Sequence, residues 1–174
     1  MTKGGFQDLD TFETMKLSPF VLLSILAILA SCRKDEMKME KLDLQSHGIP
    51  LTIMAPDSAE IQEKVYPFMR DITIRKDDCY FVQIFEFDAP NLDAAGEKLR
   101  QLAAVKEDPY FKEMIREDEQ GFIYCRTQDS TTLNFDFRYI KIVGPKELIF
   151  QTGLVGIFSL DDVKRMYKSV SSHQ

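Results

Sequence analysis

The chain has 174 residues, 44% hydrophobic and 29% charged, with a formal net charge of −6. That composition is globular and excludes a disordered or collagen-like chain. The acidic balance disfavours nucleic acid, whose phosphates attract basic surfaces through counterion release, and names no other partner.

The first segment to depart from average composition starts at Met15-Lys16, runs apolar from Leu17 to Ala30, and ends in Ser31-Cys32. A short basic start, an apolar run and small residues at its end describe a secretory signal. Leu17 to Ala30 is 14 residues and includes Ser18, Pro19 and Ser24. A helix crossing a bilayer needs roughly 20 apolar residues. Leu29-Ala30-Ser31-Cys32 resembles the lipobox of bacterial lipoproteins, a family in which cleavage precedes the cysteine and the thiol receives a diacylglycerol. The resemblance implies a signal peptide over 15–31, cleavage between Ser31 and Cys32, and acyl chains (palmitate among them) anchoring Cys32 in a membrane. Two or three acyl chains make such anchoring stable, where one does not. Residues 1–14 carry Asp8, Asp10 and Glu13, the wrong charge for the start of a signal. Met15 is therefore expected to be the true start, and 1–14 a mis-assigned extension.

Arg33-Lys34-Asp35-Glu36 resembles a surface-export signal of one group of Gram-negative bacteria, where Lys and two acids follow the lipidated cysteine. Arg33 also differs from the Asp that holds lipoproteins in the inner membrane of enteric bacteria. Both features imply attachment to the outer membrane and exposure on the cell surface. Cleavage before Cys32 leaves 143 residues at net charge −5, about one domain. The charged, Met-rich stretch to Gly48 has no clear period, so 32–48 reads as a tether and 49–174 as a single domain.

Within that domain Leu51 to Ala55 reads as a strand stopped by the turn cluster Pro56-Asp57-Ser58, and Ala59 to Val65 as its return. Ile72 to Arg75 and Cys79 to Phe87 flank a Lys76-Asp77-Asp78 turn, the second rich in aromatic and β-branched residues. A helix capped by Asn91 follows, with Leu92, Ala95, Leu99, Leu102 and Ala103 at helical spacing. Asp108-Pro109 then reads as the start of a short helix burying Phe111, Met114 and Ile115.

Phe122 to Thr127, Leu133 to Val143 and Leu148 to Phe158 read as strands separated by Gln128-Asp129-Ser130 and Gly144-Pro145-Lys146. In the middle one Leu133, Phe135, Phe137 and Tyr139 alternate with Asn134, Asp136 and Arg138, the pattern of a half-buried antiparallel strand. Gly153 and Gly156 mark a bulge or bend. Ser159-Leu160-Asp161-Asp162 is a capping-box variant opening a terminal helix, whose apolar stripe is Leu160, Val163, Met166, Tyr167 and Val170. Strands, helices, strands, helix with hairpin connections give an α+β fold, a single antiparallel sheet with helices packed on it. Over Ile49 to Val170 that order resembles the fold shared by the PsbP photosystem subunit and the Mog1 transport factor. A cystatin-like or other α+β sheet is the alternative.

Little in the mature chain points to chemistry. His47 and His173 sit in the expected tether and at the end of the chain, where nothing orients an imidazole for base catalysis or zinc. Cys79 and Cys125 stand 46 positions apart, which excludes CxxC spacing. A disulfide between them is chemically allowed outside the cytoplasm, and two buried free thiols are the other reading. The acid clusters Asp77-Asp78, Glu117-Asp118-Glu119 and Asp161-Asp162 fall at turns and helix ends, where capping and solvation explain them. The chain has no Trp, and no phosphate loop, GxSxG, HExxH or EF-hand pattern. The phenylalanines in the strands, Phe81, Phe85 and Phe87 among them, read as core, and those three form a binding surface if they are exposed.

The sequence thus leads to a lipid-anchored envelope protein with no catalytic residues, metal ligands or cofactor, acting as a binding or accessory module for an envelope protein. The alternative is an enzyme or small-ligand carrier built on a carboxylate, Tyr and Arg pocket invisible to spacing.

Overall fold

The computed structural model describes residues 37–127, 129 and 131–172. The lipobox and cleavage site (29–32), the export signal (33–36), the upstream extension, Gln128, Ser130 and His173 lie outside the described residues.

In chain order the elements are Met39–Asp43 (β1), a 3-10 turn at Gln45–His47, Thr52–Pro56 (β2), Glu60–Val65 (β3), Arg70–Lys76 (β4) and Tyr80–Asp88 (β5). They continue with Ala94–Glu107 (α1), Phe111–Glu117 (β6), Gly121–Thr127 (β7), Leu133–Val143 (β8), Lys146–Thr152 (β9) and Leu160–Ser171 (α2). β3 to β9 make one antiparallel sheet in the order β3-β4-β5-β9-β8-β7-β6, and β1 and β2 form a separate hairpin. The α+β class and the antiparallel sheet with packed helices are as the sequence indicates.

Alternation puts Ile72, Ile74, Tyr80, Val82, Ile84, Phe137, Tyr139, Leu148 and Phe150 on one face of the sheet, the inner face. α2 covers that face with Val163, Met166, Tyr167 and Val170; the β1–β2 hairpin covers it with Ile53 and Ala55, and Leu44 and Ile49 fill the gap. Each fully buried aliphatic side chain here contributes about 1.5–3 kcal/mol. The opposite, outer face carries a smaller cluster, in which Leu102 and Val105 of α1 meet Phe122 and Tyr124 of β7. No described helix is long and apolar enough to cross a membrane.

Several sequence expectations need correction. Residues 39–48 are part of the folded domain: β1 pairs along its length with β2, and Leu44 is fully buried. Lys38, Glu40, Lys41 and Asp43 face water, which hid the apolar positions Met37, Met39 and Leu42. Phe111 to Ile115 form no helix. They lie in β6, where two register shifts, between Phe111 and Glu113 and between Met114 and Arg116, turn strand alternation into three- and four-residue spacing. Asp108 ends α1, and its carboxylate accepts the Tyr110 N–H at 2.9 Å.

Asp93, not Asn91, caps α1 by accepting the Gly96 N–H at 2.8 Å. The face of α1 turned to the sheet is also not the expected stripe. Leu92, Ala95, Leu99 and Ala103 are exposed, and Glu97, Lys98, Leu102 and Val105 are buried. The surface beneath α1 is polar at that point: Lys98 Nζ donates to Glu117 and to the Asp118 carbonyl, and Glu97 pairs with Arg100. β8 is buried on both faces around its middle, since Asn134 and Asp136 are buried as well as Phe137. β9 ends at Thr152, and the chain to Phe158 is a loop rather than strand.

The terminal helix starts where expected. Ser159 Oγ accepts the Asp162 N–H at 3.3 Å and donates its own hydroxyl to the Asp162 carboxylate, so Asp162 closes the cap through the hydroxyl. Asp77, at φ 51°, turns β4 into β5.

Candidate binding surface

α1 covers the outer face over β8 and β6 and leaves the β3–β4–β5 side open. Two segments rise beside that open area. One is the β3–β4 turn, carrying Val65, Tyr66 and Phe68; the other is the loop after β9, carrying Leu154, Val155 and Ile157. Between them lies a hollow of about 320 Å³ lined by Gln62, Lys64, Tyr66, Thr73, Leu154 and Val155, with Asp71, Phe81 and Gln83 in its floor. Tyr66 also lines a neighbouring hollow of about 190 Å³, at the end of the sheet, with Phe68, Arg70, Glu86, Phe87 and Lys146. On the other side Phe81 and Val155 also line one of about 210 Å³ beside Arg75, Asp78 and Ile157. These three hollows, which share Tyr66 on one side and Phe81 with Val155 on the other, are together called the trough.

The walls are apolar to an unusual degree. Six of the ten large hydrophobic side chains exposed among the described residues stand on these two segments, including Phe68 at 74%, Leu154 at 73% and Val155 at 80%. Single exposed hydrophobics are ordinary, whereas contiguous ones rimming polar ground mark interaction sites.

The floor is polar and rigid. Gln83 Nε2 donates to both Asp71 oxygens at 2.9 Å, and Gln151 Nε2 reaches Gln83 Oε1 at 3.4 Å. Lys64 lies opposite Asp71 in register, with no carboxylate within ion-pair distance among the described residues, and Thr73 lies opposite Gln62. These groups offer donors to a carbonyl-bearing ligand.

Buried polar residues hold the loop wall in place. Where β9 leaves the sheet, Asp136 accepts the Thr152 N–H at 3.2 Å and its hydroxyl at 2.5 Å. Asn134 then grips the returning chain: its Oδ1 accepts the Phe158 N–H at 2.8 Å, and its Nδ2 donates to the Gly156 carbonyl at 3.1 Å. A Cβ at Gly153 would sit 2.3 Å from the Phe81 ring, so glycine lets the chain cross that ring closely.

The structure makes two Tyr, Asp and Arg groupings. On the outer face Asp136 accepts from Tyr124 Oη at 2.8 Å and Arg138 at 3.1 Å, with the guanidinium 5.7 Å from the Tyr124 ring. Burial, with the Asp136 charge beside it, raises the Tyr124 pKa. At the β6–β7 turn Asp118 accepts from Tyr167 Oη at 2.5 Å and pairs with Arg116 at 3.1 Å. Burial and that hydrogen bond raise the Tyr167 pKa. In both groupings the members bond one another and none lines the trough. Glu147 has a raised pKa because it is buried and faces Glu97. Asp129 is held down at about 2 by the N–H groups of Thr131 and Thr132.

Of the residues singled out in the sequence, only part converges. Phe81 lies in the trough floor with Arg75 over its ring at 5.4 Å; Phe87 lines the hollow beside Phe68, and Phe85 is half-buried. His47 sits with Nδ1 3.5 Å from Glu63 Oε2. Cys79 and Cys125 are free thiols: β9 and β8 intervene between β5 and β7, which exceeds the roughly 5.5–6 Å Cα separation a disulfide needs. No cluster of three metal-binding side chains occurs among the described residues. The sequence reading missed Val65, Tyr66, Phe68, Leu154, Val155 and Ile157. Tyr66 and Phe68 fall in a Pro-containing turn, unassigned from sequence, after the strand that ends at Val65, and Leu154 to Ile157 read as part of a strand that ends earlier, at Thr152.

No family model matches the chain, and neither a curated protein nor a solved structure matches it.

Proposed function

We propose that this chain is a lipid-anchored envelope lipoprotein whose domain is a binding module, and that an extended segment of a protein partner lies in the trough. Anchoring is supported by the sequence around Cys32, in which an apolar run ends in Leu29-Ala30-Ser31-Cys32. The outer membrane, with the domain on the cell's outer face, is the destination that Arg33-Lys34-Asp35-Glu36 favours.

The observation that carries the binding reading is that three exposed hydrophobic side chains, Tyr66, Leu154 and Val155, stand around a hollow whose floor is hydrogen-bonding. A small-molecule site is closed on most sides, typically enclosing 70–90% of its ligand in about 300–1,000 Å³. This trough has a further hollow on either side of its central 320 Å³, which suits a chain passing through. Alternate side chains of such a segment would press on Tyr66, Leu154 and Val155, while its carbonyls meet Lys64 and Thr73.

A photo-crosslinking amino acid at Val155, compared in living cells with one at Lys106 on α1, tests this. One discrete protein adduct at 155, absent at 106 and lost when Thr73→Arg fills the floor, is the expected result. Equal adducts at both positions, or an adduct indifferent to Thr73→Arg, would refute it. Alkyne fatty-acid labelling of the wild type but not of Cys32→Ser tests the anchor separately.

A further inference from the structure

We propose that the domain carries a second membrane contact, a basic hollow beside α2 that takes the headgroups of anionic lipids. The inference rests on lipidation at Cys32.

The hollow is about 640 Å³, lined by Ile115, Arg116, Ile123, Lys164, Lys168 and Ser171. Lys164 and Lys168 stand one turn apart on the exposed side of α2, and among the described residues neither has a carboxylate within ion-pair distance. Like charges at that spacing weaken a helix slightly, so the pair does nothing for α2 itself. Arg116 completes the cluster in a fixed pose, 3.1 Å from Asp118 Oδ2 and with its guanidinium 5.1 Å from the Tyr167 ring. Glu113 is the acid on the same face of β6, in register with Cys125. Asp162, near the start of α2, is taken up by Ser159 and Arg165. Three cations over an apolar floor, on a chain of net charge −6, complement a phosphate headgroup with its first carbons.

Chain length says why a membrane is the surface in question. Folded structure begins by Met37, five residues after Cys32, a contour of at most about 18 Å. A domain of this size is about 35–40 Å across, so it cannot stand clear of the bilayer that holds its lipid. The chain enters through β1, in the β1–β2 hairpin that packs beside α2. Lys41 of β1, where the described chain begins, and Lys164 and Lys168 of α2 belong to the same layer over the inner face.

The lipidated protein, reconstituted into vesicles of 30% phosphatidylglycerol in phosphatidylcholine or of phosphatidylcholine alone, tests this by hydrogen exchange. Slowed exchange over 115–123 and 164–171 is expected only with phosphatidylglycerol, and it should fade in high salt. Lys164→Glu with Lys168→Glu should weaken that contact at least about 30-fold, from ~1 kcal/mol of lost attraction for each lysine. Lys76→Glu with Lys106→Glu should leave it intact. Equal protection on both vesicles, or protection that survives the Lys164/Lys168 reversal, overturns the proposal. So does the same protection produced by inorganic phosphate with neutral vesicles, which would make the hollow a soluble-anion site. Flotation with the vesicles reports the anchor: flotation without protection sinks this proposal alone, and absence of flotation removes its premise.

Discussion

Asn134 is where the trough can be loosened without touching anything that binds in it. Its amide accepts the Phe158 N–H at 2.8 Å and donates to the Gly156 carbonyl at 3.1 Å, and Phe158 O in turn accepts the Phe135 N–H at 3.3 Å. Asn134→Ala strands the Phe158 N–H in a site that is 3% exposed. A buried donor left without a partner costs about 1–3 kcal/mol, and loss of the water-accessible Gly156 bond adds about 0.5–1.5. The expected loss of stability is therefore about 2–3 kcal/mol, or roughly 6–12 °C in Tm for a domain of this size. Asn134→Asp keeps the acceptor for Phe158 but replaces the donor to Gly156 with a carboxylate oxygen that repels that carbonyl, so it also lowers stability. Hydrogen exchange separates the two variants. The Phe158 amide should exchange about 30-fold faster in the Ala variant and close to the wild-type rate in the Asp variant, since ~2 kcal/mol of local opening corresponds to that factor. Unchanged Phe158 protection in Asn134→Ala, or the same acceleration in both variants, would show that Asn134 does not hold the wall.

Other expectations follow from neighbouring contacts. Gly153→Val should lower Tm by several degrees and expose Phe81, because a Cβ would lie 2.3–2.5 Å from three ring atoms; a quench of the partner crosslink at Val155 should accompany it. Tyr167→Phe removes the hydroxyl that donates to Asp118 and should cost about 1–2 kcal/mol at neutral pH. The Tyr167 pKa is raised in the fold, so this contribution is complete below the unfolded tyrosine pKa of about 10 and is lost as pH rises beyond it. Denaturant melts of wild type and variant should therefore converge above pH 10. Glu147→Gln should raise Tm at pH 7. Its carboxylate has a raised pKa in the fold, so ionisation opposes folding from the unfolded value of about 4.3 upward, and the gain should vanish near pH 4.

How much of this was legible depends on which signal each segment carried. β5 and α2 were plain, because Tyr80, Val82 and Ile84 alternate and Val163, Met166, Tyr167 and Val170 recur at helical spacing over one apolar surface. Where one face is apolar and the other wet, periodicity and burial say the same thing. They part company in β6 and α1. Two bulges gave β6 the spacing of a helix, and a bulge is fixed by a partner strand that sequence spacing does not contain. In α1 the buried Glu97 and Lys98 outrank the exposed Leu92 and Leu99, since Glu117 and the Asp118 carbonyl supply Lys98 with partners from a distant turn.

The trough was hidden for a related reason. Each wall is a short apolar group that, taken alone, continues the strand before it: Tyr66 after Val65, which closes β3, and Leu154-Val155 after β9. What ends those strands is not local propensity. The Tyr66 N–H bonds the Met69 carbonyl to close the β3–β4 turn, and Asp136 captures Thr152 from the neighbouring strand β8, so the chain leaves at Gly153. Asp136 itself looked like the outward, solvated half of an alternating strand. Its burial follows from the Thr152 hydroxyl, Tyr124 and Arg138, three partners drawn from β9, β7 and its own strand. The residues that shape the binding surface are thus polar ones whose role exists only once neighbouring strands are paired. Substituting Asp136 should disorder the Leu154–Ile157 wall even though its carboxylate lies on the far side of β9 from the floor residues Asp71 and Thr73.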